Sequence, residues 1–157
     1  MFMRNKTSAR NRQGTTAVET AVVLPVFLMF VFAIIEFGHA QLVNNLINSA
    51  CRNGARVGAV EGTTTAQVLA KVNTTMSSVV PLESVKVFVK DASIYDDGTP
   101  PTTAVGIEAM PDVELSDAEP RQMFVIRASV PYNDIALVPV PFLKNVVIEG
   151  QAFMRHE

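Results

Sequence analysis

Residues that build catalytic and metal sites are scarce in this sequence. It has one cysteine, two histidines and no tryptophan. One cysteine cannot form an internal disulfide framework, and neither His39 nor His156 has metal-ligand spacing with Cys51. The sequence has no glycine-rich phosphate loop and no nucleophile elbow. We therefore expect a protein that is not an enzyme, with no catalytic residues, metal, cofactor or small-molecule substrate.

Acidic residues are absent from positions 1–14, which carry four basic side chains. The remaining 143 residues hold nine basic and fifteen acidic side chains. Because phosphates would repel this acidic remainder, we expect no nucleic-acid partner. By the positive-inside rule, the basic flank places the N-terminus in the cytoplasm and the remainder outside, which in bacteria means the periplasm or beyond. The prediction is an inner-membrane protein with a periplasmic C-terminal domain.

One long apolar run dominates the N-terminal part of the chain. No residue from Ala21 to Ile35 is charged or a polar hydrogen-bonder. Together with residues 17–20 the run is about 19 residues long, enough to cross a hydrocarbon core of roughly 30 Å. It predicts a single helix over 15–38 that spans membrane lipid, after a basic leader over 1–14 that we do not expect to fold. Residues 39–157 would form an extracytoplasmic domain.

The apolar pattern continues past residue 38 and later changes its period. Apolar positions at three- and four-residue steps predict an amphipathic helix, continuous with the membrane helix from about Thr16 to Val60. N-cap residues at 63–65 predict a second helix that ends at Pro81 and returns antiparallel. Alternating residues then predict a small antiparallel sheet of three strands, with one face on the helices and one in water. The fold class is therefore α+β, with strands at residues 85–90, 123–130 and 145–154 and mostly loop over 91–120.

The helix after the membrane segment carries small residues. Gly54 and Gly58 have the spacing of a membrane dimer motif, but they lie outside the apolar run. We therefore expect them to pack closely on a second helix or on the sheet. Cys51 lies near the apolar stripe of this helix. We expect it to be a small buried residue, with an intermolecular disulfide as the alternative.

The start of the apolar run has the pattern of a prepilin peptidase substrate. A basic leader ends at Gly14, and Glu19 opens the apolar helix five positions later. Cleavage between Gly14 and Thr15 would leave a cationic amine at the head of an apolar helix. A carboxylate one helical turn further on can pair with such an amine, for instance that of a neighbouring subunit, so that both charges are neutralised in low-dielectric surroundings. The alternative is that Glu19 only reaches the lipid headgroups.

Further residues extend this motif to a family resemblance. The sequence resembles the TadE-like family, which are minor pseudopilins of the tight-adherence (Flp-type) pilus system. The segment at 50–56 resembles the family's stretch after the membrane helix, and residues 154–157 resemble its C-terminus. Thr20 departs from the pattern, because the family often has Phe there. The matching residues in the first part of the chain are Gly14, Ala17, Val18, Glu19, Leu24, Pro25, Glu36, Phe37 and Gly38.

The resemblance implies a pilin-like fold and a role in assembly. Proteins of this family are processed by the dedicated prepilin peptidase. They act with other minor pseudopilins and pilus assembly proteins in building or initiating a pilus, which supports adherence and biofilm formation. Carried over to this sequence, Gly14 and Thr15 flank the scissile bond, and Glu19 is the recognition and assembly carboxylate.

Glu36 matches a second acid of the family. It would cap the membrane edge or pair with Arg52 or Arg56 of a neighbouring subunit. Pairing within the same straight helix is ruled out, because separations of 16 and 20 residues correspond to about 24 to 30 Å.

Two other interpretations of the N-terminal segment stay open. Gly38-His39-Ala40 before Gln41 would also suit signal peptidase, which would release an exported soluble protein. Alternatively, the helix is an uncleaved anchor for a periplasmic scaffold or binding domain. The mature N-terminus separates these interpretations, because it would be Thr15 for a pseudopilin and Gln41 for a secreted protein.

Overall fold

The chain is organised on one long helix. The computed structural model describes the backbone of residues 7–96, 104–138 and 143–157, and side chains from residue 14 onward except at 97–105 and 139–142. Helix α1 runs from Thr7 to Gly58, which is 52 residues or about 78 Å at 1.5 Å per residue. The predicted continuity through the apolar run is confirmed. The prediction of an unfolded leader is wrong from Thr7 onward, because the helix already includes these residues.

Helix α2, Thr65–Met76, begins at the predicted cap. The Thr64 hydroxyl accepts a hydrogen bond from the backbone N–H of Gln67 at 3.3 Å. The Gln67 side chain accepts one from the backbone N–H of Thr64 at 3.1 Å. This capping box satisfies two N–H groups that the first turn of a helix otherwise leaves unpaired. The helix lies antiparallel to α1, as predicted.

Two glycines allow α1 and α2 to approach closely. A Cβ added to Gly54 would lie 2.6 Å from Cγ2 of Val72, and one added to Gly58 would lie 2.8 Å from Cδ1 of Leu115 and 3.1 Å from Cγ2 of Val68. As α2 rises from Val68 to Val72, its contacts descend α1 from Gly58 to Gly54, which establishes the antiparallel arrangement. The expected packing of these glycines on a second helix is confirmed within one chain.

A three-stranded antiparallel sheet completes the fold, as predicted. Its strands are β1 (Lys86–Asp91), β2 (Met123–Pro131) and β3 (Val147–Arg155), in the order β1-β2-β3. The register pairs Val89 with Ile126 and Ile126 with Ala152. The inner face of the central strand packs on the two helices. The core contains Val43, Ile47, Ala50, Cys51, Ala55, Val68, Val72, Met76, Phe124, Ile126, Ala128 and Val130.

The outer face of the sheet is less exposed than the sequence predicted. Val125 is fully buried there against Ile107 and Met110, which belong to or follow helix α3 (Ala104–Glu108). Lys90, expected in water, is buried, and its ammonium lies 2.8 Å from a carboxylate oxygen of Asp112. The expectation of an open outer face is wrong here, because part of the predicted loop folds back over it.

Two predicted connections lie partly outside the described residues. These are the loop predicted over 91–120, at residues 97–103, and the connector between the second and third predicted strands, at residues 139–142. The described part of the connector includes a short 3-10 turn at Tyr132–Asp134, which positions the tyrosine discussed below.

Candidate functional site

The two halves of α1 have different surroundings. The most apolar 18-residue window of the helix has none of its residues buried in the protein. From Val43 onward, one side of the helix is buried against α2 and the sheet. A single exposed apolar helix followed by a folded domain fits one membrane anchor with a soluble C-terminal domain. The candidate site residues all lie on the exposed half or at its boundary.

Glu19 lies on the exposed half of α1. Its side chain is exposed, and no hydrogen bond or ion pair joins it to any side chain that the structure describes. Thr20, which departs from the family pattern, turns its hydroxyl back to the carbonyl of Thr16 at 2.9 Å. The backbone of the helix therefore satisfies the hydroxyl of Thr20 with a hydrogen bond. The carboxylate of Glu19, in contrast, stays available to a partner.

Gly14 makes no close packing contact with the residues that the structure describes. A Cβ added there would meet nothing within 4 Å. Glycine costs about 0.8–1 kcal/mol relative to alanine inside a helix, so this residue weakens α1 without any compensating contact. Gly14 and Thr15 are both exposed on the helix surface.

Glu36 differs sharply from Glu19, because it is fully buried. Its carboxylate accepts hydrogen bonds from the hydroxyl of Tyr132 and from the backbone N–H groups of Leu137 at 3.1 Å and Val138 at 3.0 Å. The Tyr132 hydroxyl also lies 3.0 Å from the backbone carbonyl of Glu36. These partners belong to the same chain, so Glu36 is neither a free cap at the membrane edge nor the partner of a neighbour's arginine. It joins α1 to the C-terminal domain.

Tyr132 is the central partner in this junction. It is buried, and both burial and the neighbouring Glu36 carboxylate raise the pKa of its hydroxyl well above the ordinary value. Tyr132 therefore remains a protonated donor at any physiological pH. The ring of His39 lies 6.5 Å from the Tyr132 ring. The His39 Nδ1 is buried and has no hydrogen-bond partner among the described residues.

Sequence reasoning identified Glu36 but missed all three of its partners. Tyr132 is 96 positions away along the chain, and no motif at that distance marks a hydrogen bond to a buried acid. The one local signal is the polarity of Glu36 itself. A carboxylate at the end of an apolar run needs donors, and the sequence does not say where they come from.

Cys51 is buried in the core, which confirms the expected packing role. Its thiol lies 3.4 Å from the backbone carbonyl of Gly150 and can donate to it. Burial raises the pKa of the thiol to about 11. An intermolecular disulfide requires an accessible thiol, so the folded chain does not offer Cys51 for that alternative. The described residues also contain no group of three potential metal ligands.

These features define a fold class, and one comparison adds a similarity to a known family. The chain has a long exposed apolar helix that continues into the core of a small domain with a three-stranded antiparallel sheet, which is an α+β architecture. Residues 14–56 match the family model described as TadE-like protein, which confirms the resemblance found in the sequence. The matched segment contains Gly14, Glu19 and Glu36. No curated protein and no solved structure matches the chain.

The family match suggests a protein associated with the tight-adherence pilus. The TadE-like family is a structural, pilus-associated family and is not known for catalysis. Other pilus assembly components are therefore the class of partner that the match indicates.

Proposed function

We propose that this protein is a minor pseudopilin of a tight-adherence (Flp-type) pilus, processed by prepilin peptidase between Gly14 and Thr15. It would span the inner membrane once, with its N-terminus in the cytoplasm and its C-terminal domain in the periplasm. With other minor pseudopilins it would act in assembling or initiating the pilus, and so support adherence and biofilm formation. The observation that carries this proposal is the exposed carboxylate of Glu19 on an exposed apolar helix, where no described side chain pairs with it.

The surroundings of Gly14 support the cleavage step. A peptidase must draw the scissile bond out of a helix into its own active site. Glycine lowers the cost of this local unwinding, and no contact with a described residue requires a glycine at position 14. Recognition by the peptidase would account for the glycine at position 14, which packing does not explain.

The exposure of Glu19 supports the assembly step. An isolated carboxylate in a hydrocarbon layer costs about 2.5–3.5 kcal/mol on insertion scales. Cleavage before Thr15 would create a cationic amine one helical turn from Glu19. Pairing with this amine, on the same or on a neighbouring subunit, would offset that cost and favour a helical bundle in one register.

The contacts of Glu36 argue against cleavage after Ala40. Such a cut would remove Glu36 from the mature domain and leave Tyr132 without the acceptors of its buried hydroxyl. Water could reach the freed hydroxyl, so the loss is that of the hydrogen bonds themselves, and a hydrogen bond to a charged group contributes about 1.5–3 kcal/mol. A secreted domain beginning at Gln41 would therefore start with a destabilised core, whereas a chain beginning at Thr15 keeps the junction intact.

The decisive experiment is mass spectrometry of the mature N-terminus, with and without the prepilin peptidase. We expect a start at Thr15 only when the peptidase is present, and a full-length precursor for a Gly14→Leu variant. Gly38→Leu serves as the control, because Gly38 is also exposed and a Cβ added there would meet nothing within 4 Å. A start at Gln41, or processing of Gly14→Leu at the normal rate, would sink the proposal. An intact N-terminus in both strains would leave an uncleaved anchor.

A further inference from the structure

The C-terminal domain carries an exposed apolar surface at the end where α1 leaves it. We call this the basal surface and define it by the side chains of Leu137, Val146 and Val147. Leu137 is 61% exposed and Val147 is 50% exposed. We infer that the basal surface rests in the interfacial layer of the lipid bilayer, in the leaflet that faces the C-terminal domain. This inference depends on the membrane anchor in the proposed function, but not on cleavage or on the pilus.

Hydrogen bonds fix the height of the basal surface relative to α1. The backbone N–H groups of Leu137 and Val138 both donate to the Glu36 carboxylate. The loop that carries Leu137 therefore lies at the level of Glu36 on the helix axis. Tyr132 also bonds Glu36 through its hydroxyl, and its backbone N–H donates to the carbonyl of Val146 at 2.8 Å. This links Val146 to the same end of the domain.

The direction of β3 places Val147 at that end too. Gly150 packs against Ile47 and the backbone of Asn48. At the far end, the backbone N–H of Glu157 donates to the carbonyl of Ala59, one residue beyond α1. The strand therefore rises along α1 in the same direction as the helix, and its first residue, Val147, is the one nearest the apolar half.

At the level of Glu36 the helix itself is still apolar and exposed. Ile34 is 72% exposed and Phe37 is 65% exposed. If the apolar run spans the hydrocarbon layer, its end lies in the interface, where apolar and polar groups meet. A loop held at this level must enter the same layer. The basal surface is thus continuous with the apolar surface of the anchor, and lipid is the occupant that the geometry favours.

The distribution of charge agrees with this orientation. Between Pro131 and Val147 the sequence has two charged residues, Asp134 and Lys144. The opposite end of the domain is acidic. Glu61, Asp112, Glu114, Asp117, Glu119 and Glu157 all lie on the segments around the end of α1. Anionic headgroups repel acidic side chains, so the domain directs its acidic end away from the bilayer and its nearly neutral end towards it.

The test uses single fluorescent labels on the full chain in lipid vesicles. Val147→Cys labels the basal surface, and Val60→Cys is the matched control, because Val60 is 53% exposed at the acidic end. The native Cys51 is buried with a raised pKa, so the unsubstituted chain measures the background labelling. Phe27→Cys reports on the anchor, and Leu137→Cys is a second basal position. Quenching is measured with nitroxide lipids, shallow or deep, and with aqueous acrylamide.

We expect shallow nitroxide lipids to quench the labels at 147 and 137 several-fold more strongly than the label at 60. Equal quenching at 147 and 60 overturns the inference. Protection of 147 from acrylamide without lipid quenching also overturns it, because a protein surface such as a second copy would then cover the site. If deep nitroxide lipids fail to quench the label at 27, the anchor itself is wrong and the proposed function falls with the inference.

Discussion

The two halves of α1 have the same backbone but opposite surroundings. Residues 14–42 present large apolar side chains outward, whereas residues 43–58 bury smaller ones against α2 and the sheet. The more hydrophobic half thus contributes little to the protein interior, chiefly Glu36 and Ala40 near its end. High hydrophobicity marks the surface that meets lipid, and close packing of small and β-branched residues marks the surface that meets protein.

The two acids of α1 sharpen this comparison. Glu19 is exposed and has no partner among the described side chains, while Glu36 is buried and receives three hydrogen bonds from its own chain. Glu36 is satisfied by folding, so its role is complete in the single chain. Glu19 has no such partner among the described residues, and under the proposed function its partner comes from outside the folded chain. Substitutions at the two positions are therefore expected to separate folding from assembly.

The largest expected effect is that of Glu36→Ala. It removes the carboxylate acceptor of two backbone N–H groups and leaves the buried Tyr132 hydroxyl with only the backbone carbonyl of residue 36 as an acceptor. Unsatisfied buried donors cost about 1–3 kcal/mol each. We expect the free energy of unfolding of the C-terminal domain to fall by about 2–4 kcal/mol, since two of the donors can recover water. Thermal unfolding of the full chain in detergent, followed by circular dichroism, measures this loss.

Glu19→Ala is the matched control for this substitution. It removes the same carboxylate from the other half of the helix, where it has no described partner. We expect no change in the unfolding of the domain but a loss of pili by electron microscopy. Equal melting temperatures for Glu36→Ala and Glu19→Ala would show that the junction does not stabilise the fold. Normal piliation of Glu19→Ala would disprove the proposed pairing.

Substitutions of two glycines, one in each half of α1, test the comparison of the two halves. The expected change in stability is smaller than that of Glu36→Ala. In Gly54→Ala the new methyl group meets Val72 at 2.6 Å, and overpacking of a filled core costs about 1–3 kcal/mol. In Gly38→Ala the new methyl group meets nothing, and the helix gains about 0.8–1 kcal/mol of propensity. We expect the first variant to unfold at lower denaturant concentration than the parent chain and the second to be unchanged or slightly more stable. The opposite order would mean that the packing of α1 on α2 is looser than described.

The smallest expected effect is the pH dependence that Cys51 contributes. Burial raises the pKa of the folded thiol from 9.0 to about 11, so the unfolded chain loses its proton first. Stability is unaffected below pH 9 and falls as pH rises from 9 to 11, by about 1 kcal/mol at pH 10. Denaturant unfolding at pH 8 and pH 10 measures the change, and Cys51→Ala should abolish the part due to the thiol. An unchanged slope in Cys51→Ala would assign the alkaline loss to other groups, Tyr132 among them.

Local signals in the sequence predicted most of the elements. The apolar run and the amphipathic pattern after it gave a continuous helix, and the Thr64 cap marked the start of α2. The alternation of Val87 and Val89 with Lys86, Phe88 and Lys90 placed the inner face of β1 correctly. Each of these features depends on neighbours within a few residues. Glu19 could also be identified from the sequence, because the spacing between Gly14 and Glu19 is a local pattern.

Long-range contacts explain what the sequence did not reveal. Lys90 alternates as a solvent-facing residue, but a segment twenty residues later folds over it and supplies Asp112. Helix α3 is only five residues long, too short for a periodic pattern to distinguish it from loop. The partners of Glu36 come from about a hundred positions away. A buried carboxylate requires hydrogen-bond donors, but only the tertiary fold determines which residues supply them.

The contact between Gly150 and α1 has a mechanical consequence. At this point β3 lies directly on Ile47 and Asn48, with no room for a single methyl group between strand and helix. The last residue of the chain, Glu157, is bonded to Ala59 just past the other end of that contact. A force on the domain along the helix axis therefore acts as shear over the whole strand, not as peeling of one residue after another. Such a force would therefore load the contact between β3 and α1 at many residues at once.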